Sequence, residues 1–164
     1  MGIRATGASA LALALVMAAT AQASAQERPF ASMSGGVLGA GDISMWAVEG
    51  GFEAPLQGGT SISGELSRWG TFGSSAFHAN VGSLVVVYHF DSQGQTSHSE
   101  YRPFVLGGFA IPLNANGGGF LRAAVGADRW GTGRVGIRSE LLAYFSPMCA
   151  VCAVLELRAG ILLR

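Results

Sequence analysis

Two stretches near the end of the chain decide the fold: Val135–Phe145 (VGIRSELLAYF) and Ala153–Leu163 (AVLELRAGILL). In the first, Val135, Ile137, Ser139, Leu141, Ala143 and Phe145 alternate with Gly136, Arg138, Glu140, Leu142 and Tyr144. In the second, Leu155, Leu157, Ala159, Ile161 and Leu163 alternate with Glu156, Arg158, Gly160 and Leu162. A period of two that sorts every charge onto one side is the mark of an amphipathic strand. A helix would scatter Arg138, Glu140, Glu156 and Arg158 around its cylinder.

The same period continues upstream. Phe120–Arg129 sets Leu121, Ala123, Val125 and Ala127 against Arg122, Ala124, Gly126 and Asp128. Phe104–Leu113 is apolar on both faces. Phe77–Phe90 starts with Phe77, Ala79 and Val81 against His78, Asn80 and Gly82, then turns apolar on both faces through Leu84–Tyr88. Ser61–Arg68 opposes Ile62, Gly64 and Leu66 to Ser61, Ser63, Glu65 and Ser67. Met45–Ala54 opposes Trp46, Val48, Gly50 and Phe52 to Ala47, Glu49, Gly51 and Glu53. Phe30–Ala40 is glycine-rich and completes a set of eight predicted strands. The breaks are Gly41-Asp42, Pro55–Thr60, Trp69–Ser75, Asp91–Tyr101, Asn114–Gly119, Gly131–Arg134 and Ser146–Cys152. All are rich in the turn formers Gly, Asn, Asp, Ser and Pro.

Composition bounds what such a chain is. Of 164 residues, 12% are charged and 49% hydrophobic, which excludes a disordered, highly charged polymer. Ten basic residues, all Arg, balance ten acidic ones, so there is no electrostatic footprint for nucleic acid. Residues 1–25 read as a signal peptide. Arg4 is the only charge before Glu27, Ala10–Ala19 is a short apolar core, and Ala23-Ser24-Ala25 suits a signal peptidase. That core is well short of the ~20 residues of a membrane helix. Removing it leaves a single domain, residues 26–164, of nine Arg and ten acids. The longer uncharged runs, Trp69–Phe90, Pro103–Leu121 and Leu141–Leu155, are broken by Gly, Asn, Ser or Pro, and none reads as a membrane helix. Eight strands of about ten residues joined by connections of about five need roughly 115 residues. The expectation is all-β: an eight-stranded antiparallel up-and-down barrel.

Alternation alone does not say which face points inward. A soluble barrel of lipocalin type hides its apolar face; an outer-membrane barrel hides its polar one. Three features favour the transmembrane arrangement. The polar face is rich in Gly, Ala and Ser, as a narrow interior requires. Its charges come in both signs, as groups that must neutralise one another away from water do. Lys, common on solvated faces, is missing.

Several segments are similar to one family. Arg102-Pro103-Phe104-Val105-Leu106-Gly107-Gly108-Phe109 resembles the RPYVxGGxG strand of small bacterial outer-membrane barrels. Gly117–Gly119 through Arg138-Ser139-Glu140-Leu141 resembles their glycine-led strand, short turn and RxExR strand. Leu155–Gly160 resembles their closing strand, and Tyr88-His89-Phe90 the end of their fourth. The family is the opacity-porin-like group, similar in fold to the transmembrane domain of outer membrane protein A. The signal segment implies export of Sec type, and the resemblance implies residence in the bacterial outer membrane, with outer-membrane lipid and the barrel-assembly machinery as partners. It departs at Leu142, where the motif has Arg. It departs again at Ile161–Arg164, which lacks the terminal aromatic residue usual for assembly. Oligomeric state is left open.

The candidate site is the set of charges assigned to the interior: Glu49, Glu53, Glu65, Arg122, Asp128, Arg138, Glu140, Glu156 and Arg158. Folding the last hairpin about Cys149 opposes Glu140 to Arg158, whereas a shift by two would oppose Arg138 to Arg158 and Glu140 to Glu156. The first register is expected. The set reads foremost as a structural ionic plug, with a gated pore or proton-sensitive switch as the functional alternative. Cys149 and Cys152 read as a local disulfide. A redox CxxC normally precedes a helix, and zinc needs about four ligands. His78, His89 and His98 read as polar strand or turn residues, although some barrels of this size use a Ser–His pair on envelope lipids. Trp46, Trp69 and Trp130 lie near strand ends, as interfacial aromatics or as packing. No catalytic residue, cofactor or metal is expected. Three functions remain: a structural or interaction barrel, a lipid-modifying barrel enzyme, and a secreted soluble barrel for an apolar ligand.

Overall fold

The computed structural model describes residues 28–40, 43–73, 78–90, 100–114, 118–131, 133–146 and 153–164. They form eight strands: β1 (Phe30–Ala40), β2 (Ile43–Pro55), β3 (Thr60–Thr71), β4 (His78–His89), β5 (Glu100–Pro112), β6 (Phe120–Trp130), β7 (Val135–Phe145) and β8 (Ala153–Leu163). Each pairs antiparallel with its neighbour in sequence, and β1 pairs with β8, so the sheet closes on itself. Closure removes the free edges that an open sheet would present.

The strands run 11 to 13 residues, long enough to cross a bilayer at the tilt of a barrel. β1, β7 and β8 keep their expected bounds, β4 is a residue shorter at each end, and β2, β3, β5 and β6 outgrow theirs by a residue or more at one end or both. The largest correction is β5, which begins at Glu100 instead of Phe104. Glu100 and Arg102 continue the ladder opposite Trp130 and Asp128, and Pro103 sits in it with its side chain directed outward, half-exposed. β3 likewise runs through Trp69 to Thr71. The β2–β3 turn is tight because Gly58 and Gly59 take φ of 67° and 75°, a region closed to most side chains.

Alternation resolves into an apolar exterior and a filled interior. Outward positions expose Leu66, Phe109, Ile137 and Leu157, the last at 68%. This is the inverse of a soluble ligand-binding barrel. Inward positions fall into three levels. At the end near the chain termini, Phe30, Trp130 and Leu162 pack together, the first two edge to face. At the opposite end, Leu38, Met45, Ala47, Trp69, Leu142 and Tyr144 form a second apolar cluster. Between them lie the charges. The β4–β5 wall is apolar inside as well as out, through Val85, Val87, Phe104 and Leu106. That is why these two strands show no clean period in the sequence.

Candidate functional site

Inward-facing positions of six strands meet in the middle of the barrel. β2 supplies Glu49 and Glu53, β3 Glu65, β4 His89, β6 Arg122 and Asp128, β7 Arg138 and Glu140, and β8 Glu156 and Arg158; all are buried. Three guanidinium groups thus meet six carboxyl groups.

Each arginine organises its own cluster. Arg138 donates from Nε and Nη2 to the two oxygens of Asp128 at 2.7 and 2.8 Å, a bidentate pair across the β6–β7 ladder. Its Nη2 also donates to Glu53 at 2.9 Å. The guanidinium lies 4.5 Å from the Phe104 ring centre and 5.3 Å from that of Phe30, close enough for cation–π attraction. Arg158 holds Glu156 through Nε and Nη2 at 2.9 and 2.8 Å, and donates to Glu49 and to the Tyr144 hydroxyl. The Tyr144 hydroxyl in turn donates to Glu156 at 3.0 Å. Arg122 pairs with Glu65, stands 3.7 Å from Glu49, and lies beneath the Tyr144 ring. Planar guanidinium forks suit such shared, desolvated carboxylates better than a Lys ammonium.

Carboxyl oxygens outnumber what three arginines satisfy, and serine hydroxyls and an imidazole join them. Ser61 donates to Glu53 at 2.7 Å and Ser63 to Glu65 at 3.2 Å. His89 Nε2 lies 2.6 Å from Glu53, with its other nitrogen 4.0 Å from Asp128. His89 is the member that sequence reasoning left out. Its parity with Val85 and Val87 was the available signal, hidden because β4 is apolar on both faces.

The β7–β8 register places Glu140 opposite Arg158, as the charge argument expected. The side chains do not complete that pair. Arg158 turns to Glu156 and Glu49, while Glu140 stands 3.8 Å from both Arg122 and Arg138. Cα opposition sets which strand positions face each other. Long side chains then choose among carboxylates all round a narrow barrel.

Of the tryptophans, Trp69 and Trp130 are interior packing, Trp69 lying edge to face with Tyr144 at 5.0 Å. Trp46 is on the outer face, tilted against His78. Cys149, Cys152, His98, Ser74 and Ser75 lie outside the described residues.

The inward glycines follow from the same crowding. A Cβ at Gly126 would come 2.5 Å from the Ser139 carbonyl and 2.6 Å from the Phe104 ring, and one at Gly108 would strike the backbone of Leu84 and Val85. Outward Gly50 and Gly64 meet no such obstruction: a Cβ at Gly50 has only the Ser32 carbonyl at 3.9 Å, and one at Gly64 has nothing within 4 Å.

No family model matches the sequence, and no curated protein matches it. Solved structures do. The N-terminal β-barrel domain of Pseudomonas aeruginosa OprF aligns over 82% of this chain and 96% of its own, at TM-score 0.56 and 15% identity. Neisserial surface protein A (NspA) aligns over 82% and 94%, at TM-score 0.56 and 11% identity. The outer membrane enzyme PagL aligns over 81% and 99%, at TM-score 0.50 and 13% identity. The chain has the fold of a small outer-membrane β-barrel. At these identities the likeness is one of fold.

Proposed function

We propose that this protein is a small outer-membrane barrel with a structural or interaction role in the envelope, no catalysis of its own, and a lumen closed by its ionic network. In this reading residues 1–25 direct export, residues 26–164 form the barrel, and outer-membrane lipid and the assembly machinery are its partners. The observation that carries it is the pairing of a predominantly apolar exterior with an interior filled by charges of opposite sign. Apolar residues of such exposure are stable against lipid and costly against water. The clusters around Arg122, Arg138 and Arg158 occupy the middle of the barrel, where an open channel would need water.

Planar-bilayer recording of the purified protein tests the plug. Conductance near the bilayer baseline is expected, and a large steady conductance would overturn it. Detergent-dependent solubility and heat-modifiable gel migration test the membrane reading separately. Lipid profiles of cells with and without the protein test the absence of catalysis, since a lipid-modifying barrel would alter them.

A further inference from the structure

The outer face is not uniformly apolar. Among the described outward strand positions it bears no carboxylate and two charges, Arg68 on β3 and Arg129 on β6. Arg68 lies three residues inside the loop end of its strand, and no ion pair or hydrogen bond to it is found among the described residues. A cation on the lipid face is expensive unless it reaches an anion or the interface.

Arg68 stands at a groove of about 750 Å³ on the outside of β1–β4, with Met33 of β1 and Leu113 after β5 also lining it, within the size range of small-ligand sites. The registers stack the outward residues in and beside it in three layers. Nearest the loops, Trp46 and His78 flank Gly70, with the Trp46 indole lying over it. Next come Val48, Arg68 and the exposed Asn80. Toward the middle of the barrel lie Gly50, Leu66 and Gly82, with Leu113 lying over Gly82. Asn114 clips the loop end by accepting from the Asn80 amide at 2.7 Å. Gly50 needs no glycine for its own packing, and any side chain there would fill the hollow.

The groove is therefore polar and cationic toward the loops and apolar toward the bilayer centre. We propose that it binds a phosphate-bearing acylated glycolipid of the outer leaflet, with a phosphate on Arg68 and Asn80 and an acyl chain along Gly50 and Leu66. The direction of this gradient matches a lipid whose headgroup faces the loop side. A soluble anion would have no use for the apolar half. The inference rests on the membrane reading above, with the chain termini on the periplasmic side.

The test uses the full barrel in detergent micelles, with native mass spectrometry and bisphosphorylated lipid A, its dephosphorylated form, and phosphatidylglycerol as probes. Each variant is first checked for heat-modifiable migration; a barrel that stays in solution without detergent removes the membrane reading itself. The wild type should retain bisphosphorylated lipid A in preference to both other lipids. Arg68→Ala should weaken retention about tenfold or more, the scale of a lost charge-assisted hydrogen bond. Gly50→Leu should weaken it by filling the hollow, while Arg129→Ala, at the other end, should leave it unchanged. Equal retention by Arg68→Ala and Arg129→Ala would overturn the site. Equal retention of the dephosphorylated lipid or of phosphatidylglycerol would overturn the assignment of ligand.

Discussion

Arg158 has the most to lose from truncation. It holds Glu156 with two hydrogen bonds and also reaches Glu49 and Tyr144, with its side chain 1% exposed. Arg158→Leu would leave two buried carboxylates without their main partner. Breaking one side of a buried ionic network costs about 3–5 kcal/mol, so urea unfolding in lipid vesicles should show a loss of that order. Unchanged stability would mean that Glu49 and Glu156 find other partners at no cost. Glycines offer a sharper contrast. Gly108→Ala drives a Cβ into the neighbouring strand's backbone and should cost about 1–3 kcal/mol. Gly64→Ala meets open space and should stay within about 0.5 kcal/mol. The same unfolding experiment reads both; equal effects would show that the interior is looser than its packing indicates.

At the scale of the strand pair, register is the quantity at stake, because a one-residue slip turns every inward side chain outward. β7 and β8 carry outward partners Ser139 and Ala159, opposite one another beside the Glu140–Arg158 step. With Cys149 and Cys152 changed to Ser, the pair Ser139→Cys and Ala159→Cys should cross-link on mild oxidation. The pair Ser139→Cys and Leu157→Cys, offset by two, should not. Non-reducing gel mobility reads the result, and the reverse pattern would place β8 two residues away. The β6–β7 hairpin repeats the principle: its short turn sets Asp128 opposite Arg138, and here the side chains do close the pair. Where the partners are a short Asp and an Arg on adjacent strands, opposition and contact coincide. Where both side chains are long, as at Glu140 and Arg158, they part.

For the molecule as a whole, the question is which solvent the outer face meets. Leu157, 68% exposed near the middle of β8, decides it. Leu157→Arg in a bilayer should cost about 2–4 kcal/mol, the price at the midplane of a barrel. A surface in water would take the same change within about 0.5 kcal/mol. Unfolding of the variant in vesicles against the wild type separates the two. The aromatic residues agree with a bilayer: Trp46 lies outward toward one end, and Tyr88 and Tyr101 toward the other, where amphipathic rings favour the interface.

Strand number, order and the sorting of charges to one face were legible in the sequence, because the strand period is two and the turns carry Gly, Asn and Pro. β7 and β8 could be read to the residue, and charge repulsion alone selected their register. The sequence by itself also put the nine charged residues on one face of their strands, since each shares parity with Gly, Ala, Ser or another charge. What it could not determine were the partners. His89 joined the network unannounced, Arg158 left Glu140 for Glu156 and Glu49, and Trp69 and Trp130 turned out to be interior packing. Alternation reports a face, which is a property of one strand. Partnership is decided only when eight strands close, bringing side chains as far apart in sequence as Glu49 and Arg158 within reach of one another across a narrow lumen. The groove beside Arg68 is of the same kind, for its layers come from β2, β3 and β4 and exist only once those registers are set.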